Sequence, residues 1–344
     1  MLLNRLLYLG YYFKKMNWEK YNLFLNYVNR VYGISKLYLF LNSVFDSMKY
    51  NISPMEYFLF HFWEKNFVEK EKWAGTGFMY EYQRFMNPYS TRHVLLNKGE
   101  FLKHNAEFIT HKWLEIDNGN FDQLRKFIKS VQGKKIVLKN ISGNCGIVVQ
   151  IIDTRTTTVE DIIALAKENN LTLAEEFIYQ HDELNKLSPS ALNTVRIFTQ
   201  IVGDEVVILG TRLRISINSN VDNLAAGNMA AAVDEKSGTI VRPAIYSDIT
   251  KSPESVHPVT GVDIVGFQIP HWGLVMKKVK EIALHNRENR SVGWDIAVTN
   301  DGVDFIEGNH DWCKLVYQLP VNQGLKFELE NIIKDRYDKI IDLY

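Results

Sequence analysis

Asp295, Glu307 and Asn309 are the residues of this 344-residue chain whose spacing most directly suggests chemistry. They lie in two apolar-rich segments, Gly293 to Thr299 and Phe305 to Asn309, around the turn signal Asn300, Asp301, Gly302. A hairpin with that three-residue loop pairs Thr299 with Val303 and sets Asp295 opposite Glu307. Asn309, two residues further on, returns to the same face because strand side chains alternate. One face then gathers two carboxylates and an amide oxygen, a hard-oxygen set suited to Mg2+ with phosphate oxygens and water completing its shell. Carboxylates directly opposite one another destabilise a sheet, so a cation should neutralise them. An acidic pair facing solvent is the plain alternative, and the metal reading needs partners elsewhere in the chain.

Cations and a glycine-bearing loop are such partners. Asn140 to Gly146 joins two strand-like runs; Lys139 ends the first of them, and Gly143 and Gly146 let backbone N–H groups converge on an anion. The loop lacks the Walker pattern, and no GxGxxG follows a strand. Cys145 reads as a small residue in a tight loop, with no histidine motif to make it a nucleophile. Arg212 and Arg214 share one strand face by their i, i+2 spacing, and Arg196 lies in the preceding strand. These arginines suit the wet side of any sheet; set beside a carboxylate-bound metal they suit a polyphosphate, with metal on one side and guanidinium on the other. Leu173 to Ile178 is extended and followed by Glu183, so it offers backbone hydrogen bonds to a base edge and a later acid for ribose hydroxyls. An edge strand with a polar loop explains it equally.

The elements that must hold these groups change character along the chain. Residues 1–92 read as a helical, aromatic-rich unit, in which Ser53, Pro54 and Glu56 mark a helix start. Tyr57 to Trp63 is apolar nearly all round, which predicts a buried helix or a docking surface. From about 93 helices and strands mix: apolar residues at helical spacing from Phe121 to Val131, strands at 135–139 and 147–152, and a capped helix at Thr158. Beyond 190 the pattern is strongly β, with hairpin strands at 195–202 and 206–215. A helix from Trp272 to about Asn286 leads into the acidic hairpin, and Phe327 to Tyr344 closes as a helix. The order predicts α+β architecture with a cleft between two sheet-bearing units, 93–185 and 186–344.

Composition narrows the class. Forty basic and forty acidic residues cancel, so no global field draws the chain to nucleic acid or membrane. Two cysteines, Cys145 and Cys313, exclude a disulfide framework and a cysteine-rich metal site, and fit a reducing, cytoplasmic setting. No stretch reaches the length of a spanning helix. The apolar start, with Leu2, Leu3, Leu6 and Leu7, suits a core-packing helix or a peripheral contact with the inner face of a membrane or with a glycan-assembly partner. Oligomeric state stays open.

In order, these residues resemble the ATP-grasp superfamily of carboxylate–amine ligases, most closely its sugar-transfer-associated branch. The resemblance is carried by Ser190 to Ile197, His257 to Gly261, Gln268 to Trp272, Gly293 to Ala297 and Ile306 to Asn309, within roughly residues 90–320. It implies an ATP-grasp fold behind a mainly helical N-terminal domain. Lys98 resembles the first nucleotide-binding lysine, although Asn97 stands where the superfamily often has Asp, and Lys139 resembles the second, beside a lid loop with Ser142, Gly143 and Gly146. Glu176, Phe177 and Ile178 look like the adenine-holding hinge, and Glu183 resembles the ribose-binding acid, with His181 and Asp182 competing for that place. Arg212 resembles the cation facing the terminal phosphate, with Arg214 its alternative. Asp295, Glu307 and Asn309 match the magnesium triad for one or two ions. Where several superfamily ligases carry an arginine two residues before the metal aspartate, this chain has Gly293, which leaves that work to Arg196 or Arg214.

The implied chemistry joins a carboxylate to an amine through an acyl phosphate, with ATP and Mg2+ consumed or bound. The branch implies a carboxyl sugar such as a uronic acid, joined to an amino acid or amine in capsular or cell-surface polysaccharide biosynthesis. Two rivals use the same cleft: a kinase acting on a hydroxyl or carboxyl acceptor, and a non-catalytic nucleotide-binding scaffold of a glycan assembly complex.

Overall fold

Helix caps set the layout of the first fifty residues. In the computed structural model, which describes residues 2–117, 121–141 and 149–337, the chain opens with three helices: α1 (Leu2–Lys15), α2 (Trp18–Tyr32) and α3 (Lys36–Tyr50). Asn17 caps α2 by accepting from the Lys20 amide at 2.9 Å, and Ser35 caps α3 by accepting from the Tyr38 amide at 3.2 Å. Between them Gly33 closes α2 in the left-handed region at φ 70°. Ser53, Pro54 and Glu56 start the next helix as expected, with a reciprocal capping box in which the Ser53 amide donates to Glu56 at 2.7 Å.

The aromatic run after it departs from expectation. The helix ends at Leu59, His61 turns left-handed at φ 53°, and a single 3-10 turn covers Phe62–Glu64. That break lets near-consecutive rings point inward: Tyr57, Phe58, Phe60 and Phe62 are each at most 1% exposed. They form the core of the helical unit with Tyr21, Phe24, Val28 and Leu39, so the run is neither a continuous helix nor a docking surface.

Two antiparallel sheets follow. The smaller has β1 (Trp113–Glu115), β2 (Lys135–Lys139), β3 (Val149–Asp153) and β4 (Leu173–Glu176) in the order β1-β4-β2-β3. One face packs Ile136, Leu138, Ile152 and Ala174 against Leu124, Phe127 and Ile128 of helix Asp122–Ser130 and Ile162 of helix Val159–Glu168. Thr158 caps the latter, accepting from the Asp161 amide.

The larger sheet has β5 (Val195–Val202), β6 (Glu205–Ile215), β7 (Met229–Val233), β8 (Ser291–Thr299) and β9 (Gly302–Asn309) in the order β7-β6-β5-β8-β9. Its Val195, Ile197, Leu213, Trp294 and Ile296 pack on Val275, Val279 and Ile282 of helix Trp272–His285. On the other face Phe198 meets Trp312 and Tyr317, together with Phe78 and Tyr82 of helix Thr76–Met86 and Leu329 and Ile333 of helix Lys326–Tyr337. Buried polar bonds fix this packing: the Tyr82 hydroxyl donates to Gln200 at 2.6 Å, and the Asn87 amide donates to the carbonyls of Ser291 and His310, each at 2.8 Å. The architecture is α+β, with a helical region ahead of the two sheets.

The acidic hairpin reaches its expected pairing by a different route. Thr299 pairs with Gly302, so the loop is the two residues Asn300 and Asp301, one fewer than the sequence suggested. That register alone would slip every later pair by one. A bulge corrects it: Ile296 pairs with Phe305 and Asp295 with Glu307, which leaves Ile306 as the extra residue.

Candidate functional site

Four successive strands bring one charged row across the larger sheet. Arg212 on β6 stands beside Arg196 on β5, Arg196 beside Asp295 on β8, and Asp295 beside Glu307 on β9. Their partners on the opposite face are the apolar residues that pack on helix Trp272–His285, so alternation alone directs all four away from that core.

Asp295 is 2% exposed and grips two guanidiniums. Arg196 donates to it twice, through Nε and through Nη2 at 2.7 Å, and Arg214 Nη1 donates to Oδ2 at 2.8 Å. Burial alone would raise the Asp295 carboxyl, but Arg196 and then Arg214 hold it well below the usual carboxylate range. Arg214 continues the chain of charge to Asp222 at 2.5 Å, itself bonded by the Thr194 amide at 2.9 Å. Arg212 behaves differently. Its two bonds go to the carbonyls of Thr211, at 2.8 Å, and Tyr317, and burial pushes its pKa down to about 10.

Gly293 explains how Arg196 reaches Asp295. A Cβ at 293 would lie 2.7 Å from Trp312 Cβ and 3.4 Å from Arg196 Cδ. A larger side chain at 293 would have no room here, and the Arg196 side chain passes through the adjoining space.

Glu307 lies at the open end of the row and is exposed. Loss of surrounding water and then the Asp295 carboxylate raise its pKa, so the two acids resist being charged together. The Asn309 amide donates to Glu307 Oε1 at 3.1 Å and to the Gly293 carbonyl at 3.3 Å. Two carboxylates and an amide thus meet with their mutual repulsion incompletely relieved, which is the condition a divalent cation would remove. The donor set fits Mg2+: hard oxygens, few in number, with room for phosphate and water to complete the shell. Asp295 is already balanced by two arginines, so Glu307 and Asn309 are the readier donors.

A second cluster joins the two sheets. Lys98, the first residue of helix Lys98–His104 with Asn97 as its cap, lies 3.7 Å from Glu175 and donates to the Ile306 carbonyl. Lys139, at the end of β2, pairs with the other oxygen of Glu175 on β4. Burial would raise the Glu175 carboxyl, yet Lys98, Lys139 and His111 hold it low. His111 spans the sheets, with Nδ1 at 2.8 Å from Asp304 on β9 and Nε2 at 3.3 Å from Glu175. Burial would lower the imidazole, but Asp304 and Glu175 outweigh it and raise its pKa to about 8. Protonated, it donates at both ends.

The structure therefore brings Lys98 and Lys139 together, and Arg196, Arg214, Asp295, Glu307 and Asn309 together. The first group touches the second through the β9 bulge. Glu176 faces away from Lys98 and Lys139, toward Lys134, with its backbone amide donating to the Lys112 carbonyl at 2.7 Å. Phe177 and Ile178 continue half-buried beyond the strand, and the Phe177 amide donates to the Lys135 carbonyl at 3.0 Å. Glu183 is exposed, pairs with Lys186 at 2.6 Å, and sits near the hairpin turn, where the Asp182 amide donates to Asn300 at 3.0 Å. Ser142, Gly143 and Gly146 lie outside the described residues. Sequence reasoning missed Glu175, His111, Asp304 and Asp222. Glu175 shares its strand face with Leu173 and Glu176 shares the other with Ala174, and both faces are packed, so alternation does not single out Glu175, while His111 precedes β1 with no local signal.

Comparison with known proteins supplies a family context. A profile described as sugar-transfer associated ATP-grasp matches residues 78–334. No curated protein sequence matches. Among solved structures, the ATP-grasp ligase PsnB complexed with a minimal precursor is 13% identical, with a TM-score of 0.44, and the match covers 72% of this chain and 64% of that one. An L-amino acid ligase from Bacillus licheniformis is 13% identical, with a TM-score of 0.44, over 72% of this chain and 50% of the other. The D-alanine–D-alanine ligase from Bacillus anthracis is 13% identical, with a TM-score of 0.39, over 72% and 70%. The chain thus spans less than two thirds of the length of the first two.

Proposed function

Because this chain belongs to the sugar-transfer associated ATP-grasp family, we propose that it is an ATP- and Mg2+-dependent ligase joining a carboxylate to an amine. The observation that supports this most is the meeting, around the β9 bulge, of a two-lysine cluster and a carboxylate–arginine row. The lysines suit nucleotide phosphates, and the row suits a metal ion with an oxyanion beside it. In this reading Glu307, Asn309 and Asp295 hold Mg2+, one or two ions, which when bound neutralise phosphate charge and align the phosphoryl group.

The reaction balances in two transfers. A substrate carboxylate oxygen attacks the γ-phosphorus of ATP and ADP leaves. The amine nitrogen then attacks the acyl carbon, inorganic phosphate leaves, and the nitrogen gives up a proton. The chain's part is to position the reactants and balance charge. Lys98 and Lys139 hold phosphate oxygens, and the resemblance assigns Ser142, Gly143 and Gly146 to the same phosphates. Glu176, Phe177 and Ile178 hold the adenine, and Glu183 the ribose. Arg196 and Arg214, bound to Asp295 before substrate arrives, are pre-positioned beside the metal, where charge develops. Arg212 donates to two carbonyls and keeps a buried Nε without a partner among the described residues, and the resemblance assigns it to the terminal phosphate, with Arg214 its alternative.

The substrate class follows the family's name. We take the carboxylate to be that of a sugar, such as a uronic acid, and the amine an amino acid or a simple amine, within cytoplasmic polysaccharide assembly. No helix among the described residues is long and apolar enough to cross a membrane. Division at about 92 and 185 into a helical domain, a lid unit and a metal-bearing unit belongs to the same proposal. The deciding assay measures ADP release by purified protein with Mg2+-ATP, a panel of carboxyl sugars and a panel of amines. ADP release that needs both substrates and yields an amide supports the reading. A stable phosphorylated product would make the protein a kinase, and nucleotide binding without turnover on any pair would make it a scaffold.

A further inference from the structure

The three N-terminal helices leave a large apolar surface uncovered. On α3, Leu37, Leu41 and Phe45 recur every four residues and are 68%, 55% and 56% exposed. They form one stripe, because residues four apart lie on one side of a helix. The neighbouring α1, tied to α3 by Arg5 donating to the Met48 carbonyl at 2.8 Å, adds Leu7 and Tyr11 at the same spacing, also exposed. Phe67 extends the patch beyond α3, with the Lys49 ammonium 4.1 Å from its ring centroid. Scattered apolar side chains are ordinary on a soluble surface, but stripes on adjacent helices are not.

The charge of this region says what covers it. Residues 1–50 carry seven Lys and Arg (Arg5, Lys14, Lys15, Lys20, Arg30, Lys36, Lys49) against two acids (Glu19, Asp46), a net of +5. The whole chain is neutral, so residues 51–344 carry the balancing −5. Asp46 is buried and paired with Lys70 at 2.7 Å, which leaves Glu19 as the exposed acid of these helices among the described residues. Lys14, Lys15, Arg30, Lys36 and Lys49 are exposed. A second copy of this chain would set cations against cations across the same face, with little acid to balance them. Apolar stripes on helices with this cationic excess match an anionic lipid surface instead: the apolar stripe enters the headgroup–acyl boundary and the cations meet lipid phosphates. Glu69 and Glu71, beside Phe67, are the exposed acids at one edge of the patch. The α1 helix, at 14 residues about 21 Å long, is too short to span and suits lying in the plane.

We propose that the face formed by α1 and α3 docks this protein on an anionic lipid bilayer. The stripe supplies depth, and Lys14, Lys15, Lys36 and Lys49 supply the preference for anionic headgroups. This stands apart from the ligase reading, since it uses no residue of the cleft.

The test is co-sedimentation of the full chain with vesicles of phosphatidylcholine alone and of phosphatidylcholine mixed with phosphatidylglycerol, at low and high salt. Two variants accompany it: Leu37→Glu/Leu41→Glu/Phe45→Glu and Lys14→Glu/Lys15→Glu/Lys36→Glu. The wild type should bind the mixed vesicles, lose most of that binding at high salt, and leave neutral vesicles largely unbound. Each variant should bind the mixed vesicles at least about tenfold more weakly, while circular dichroism and Mg2+-ATP titration match the wild type and show that the fold is kept. Equal binding to both vesicle types, no binding to either, or unchanged binding by the folded variants would overturn the proposal. So would a wild-type dimer in sedimentation velocity that the stripe variant dissolves, because the face would then be an interface between copies.

Discussion

Lys98 donates its ammonium to the carbonyl of Ile306, the residue left over by the bulge in β9. The bulge thereby does two things. It restores the register that sets Glu307 opposite Asp295, and it turns out a backbone carbonyl that would otherwise lack a ladder partner. The lysine that takes this carbonyl also lies beside Glu175, so one ammonium connects the acidic hairpin to the smaller sheet.

Replacing Lys98 with Met separates binding from stability. Burial and the neighbouring Lys139 already disfavour the charged ammonium, while Glu175 and Glu307 favour it. Glu175 keeps Lys139 and His111 when Lys98 is gone. The unfolding free energy in urea should therefore move by no more than about 1–2 kcal/mol, the size of one lost hydrogen bond. Affinity for Mg2+-ATP should fall at least about tenfold, as for the loss of a charged contact to phosphate. Unchanged affinity by titration calorimetry would remove Lys98 from the nucleotide site.

Removing Glu175 should do the reverse. Glu175 is 6% exposed and balances three cationic groups, so Glu175→Gln leaves Lys98, Lys139 and His111 without their shared anion. Breaking one side of a buried ionic cluster costs about 3–5 kcal/mol. Urea unfolding should show a loss of that order, and adding Lys98→Met to the variant should restore part of it. A loss below about 1 kcal/mol would mean that water already shares this cluster.

His111 makes stability depend on pH in a definite sense. Its pKa is raised to about 8 in the folded chain, above the 6.5 of a free imidazole. The contribution is fully present below about pH 6.5 and fades as pH rises through 8, and the shift corresponds to about 2 kcal/mol. In urea melts the wild type should weaken between these values relative to His111→Gln, whose profile lacks this step. Parallel profiles for the two proteins would show that His111 stays neutral between its two acids.

How much of this was legible in the sequence depends on how local the signal was. The helix starts at Ser53 and Thr158 and the strands β5, β6 and β8 are read within a few residues, and each stands as expected. The pairing of Asp295 with Glu307 was also read, although through a loop one residue too long, because a bulge has no signature in an otherwise regular strand. The aromatic run at 57–63 misled for a related reason: a left-handed His61 is invisible to periodicity, yet it decides that the rings go inward. The Glu175, His111 and Asp304 contacts join residues 64 and 193 positions apart. Only the packing of the two sheets brings them together, so no window along the chain could have found them.

Asp295 and Glu307 stand side by side but should respond oppositely to loss of charge. Asp295 neutralises Arg196 and Arg214 inside the sheet, so Asp295→Asn strands the buried Arg196 guanidinium, leaves Arg214 to Asp222 alone, and should cost about 3 kcal/mol or more in urea unfolding. Glu307 is held up in pKa by loss of surrounding water and then by Asp295, and has no lysine or arginine within ion-pair reach among the described residues, so Glu307→Gln removes a repulsion and should leave stability equal or slightly higher. If these acids hold Mg2+, the same Glu307→Gln chain, stable as it is, should lose the magnesium dependence of ATP binding. Titrations with ATP alone and with Mg2+-ATP should then coincide for the variant and differ at least about tenfold for the wild type, the scale of losing one carboxylate ligand. A variant that keeps the full magnesium effect would assign the metal to other ligands. A variant that unfolds more easily than the wild type would show that Glu307 supports the hairpin, contrary to its place at the open end of the row.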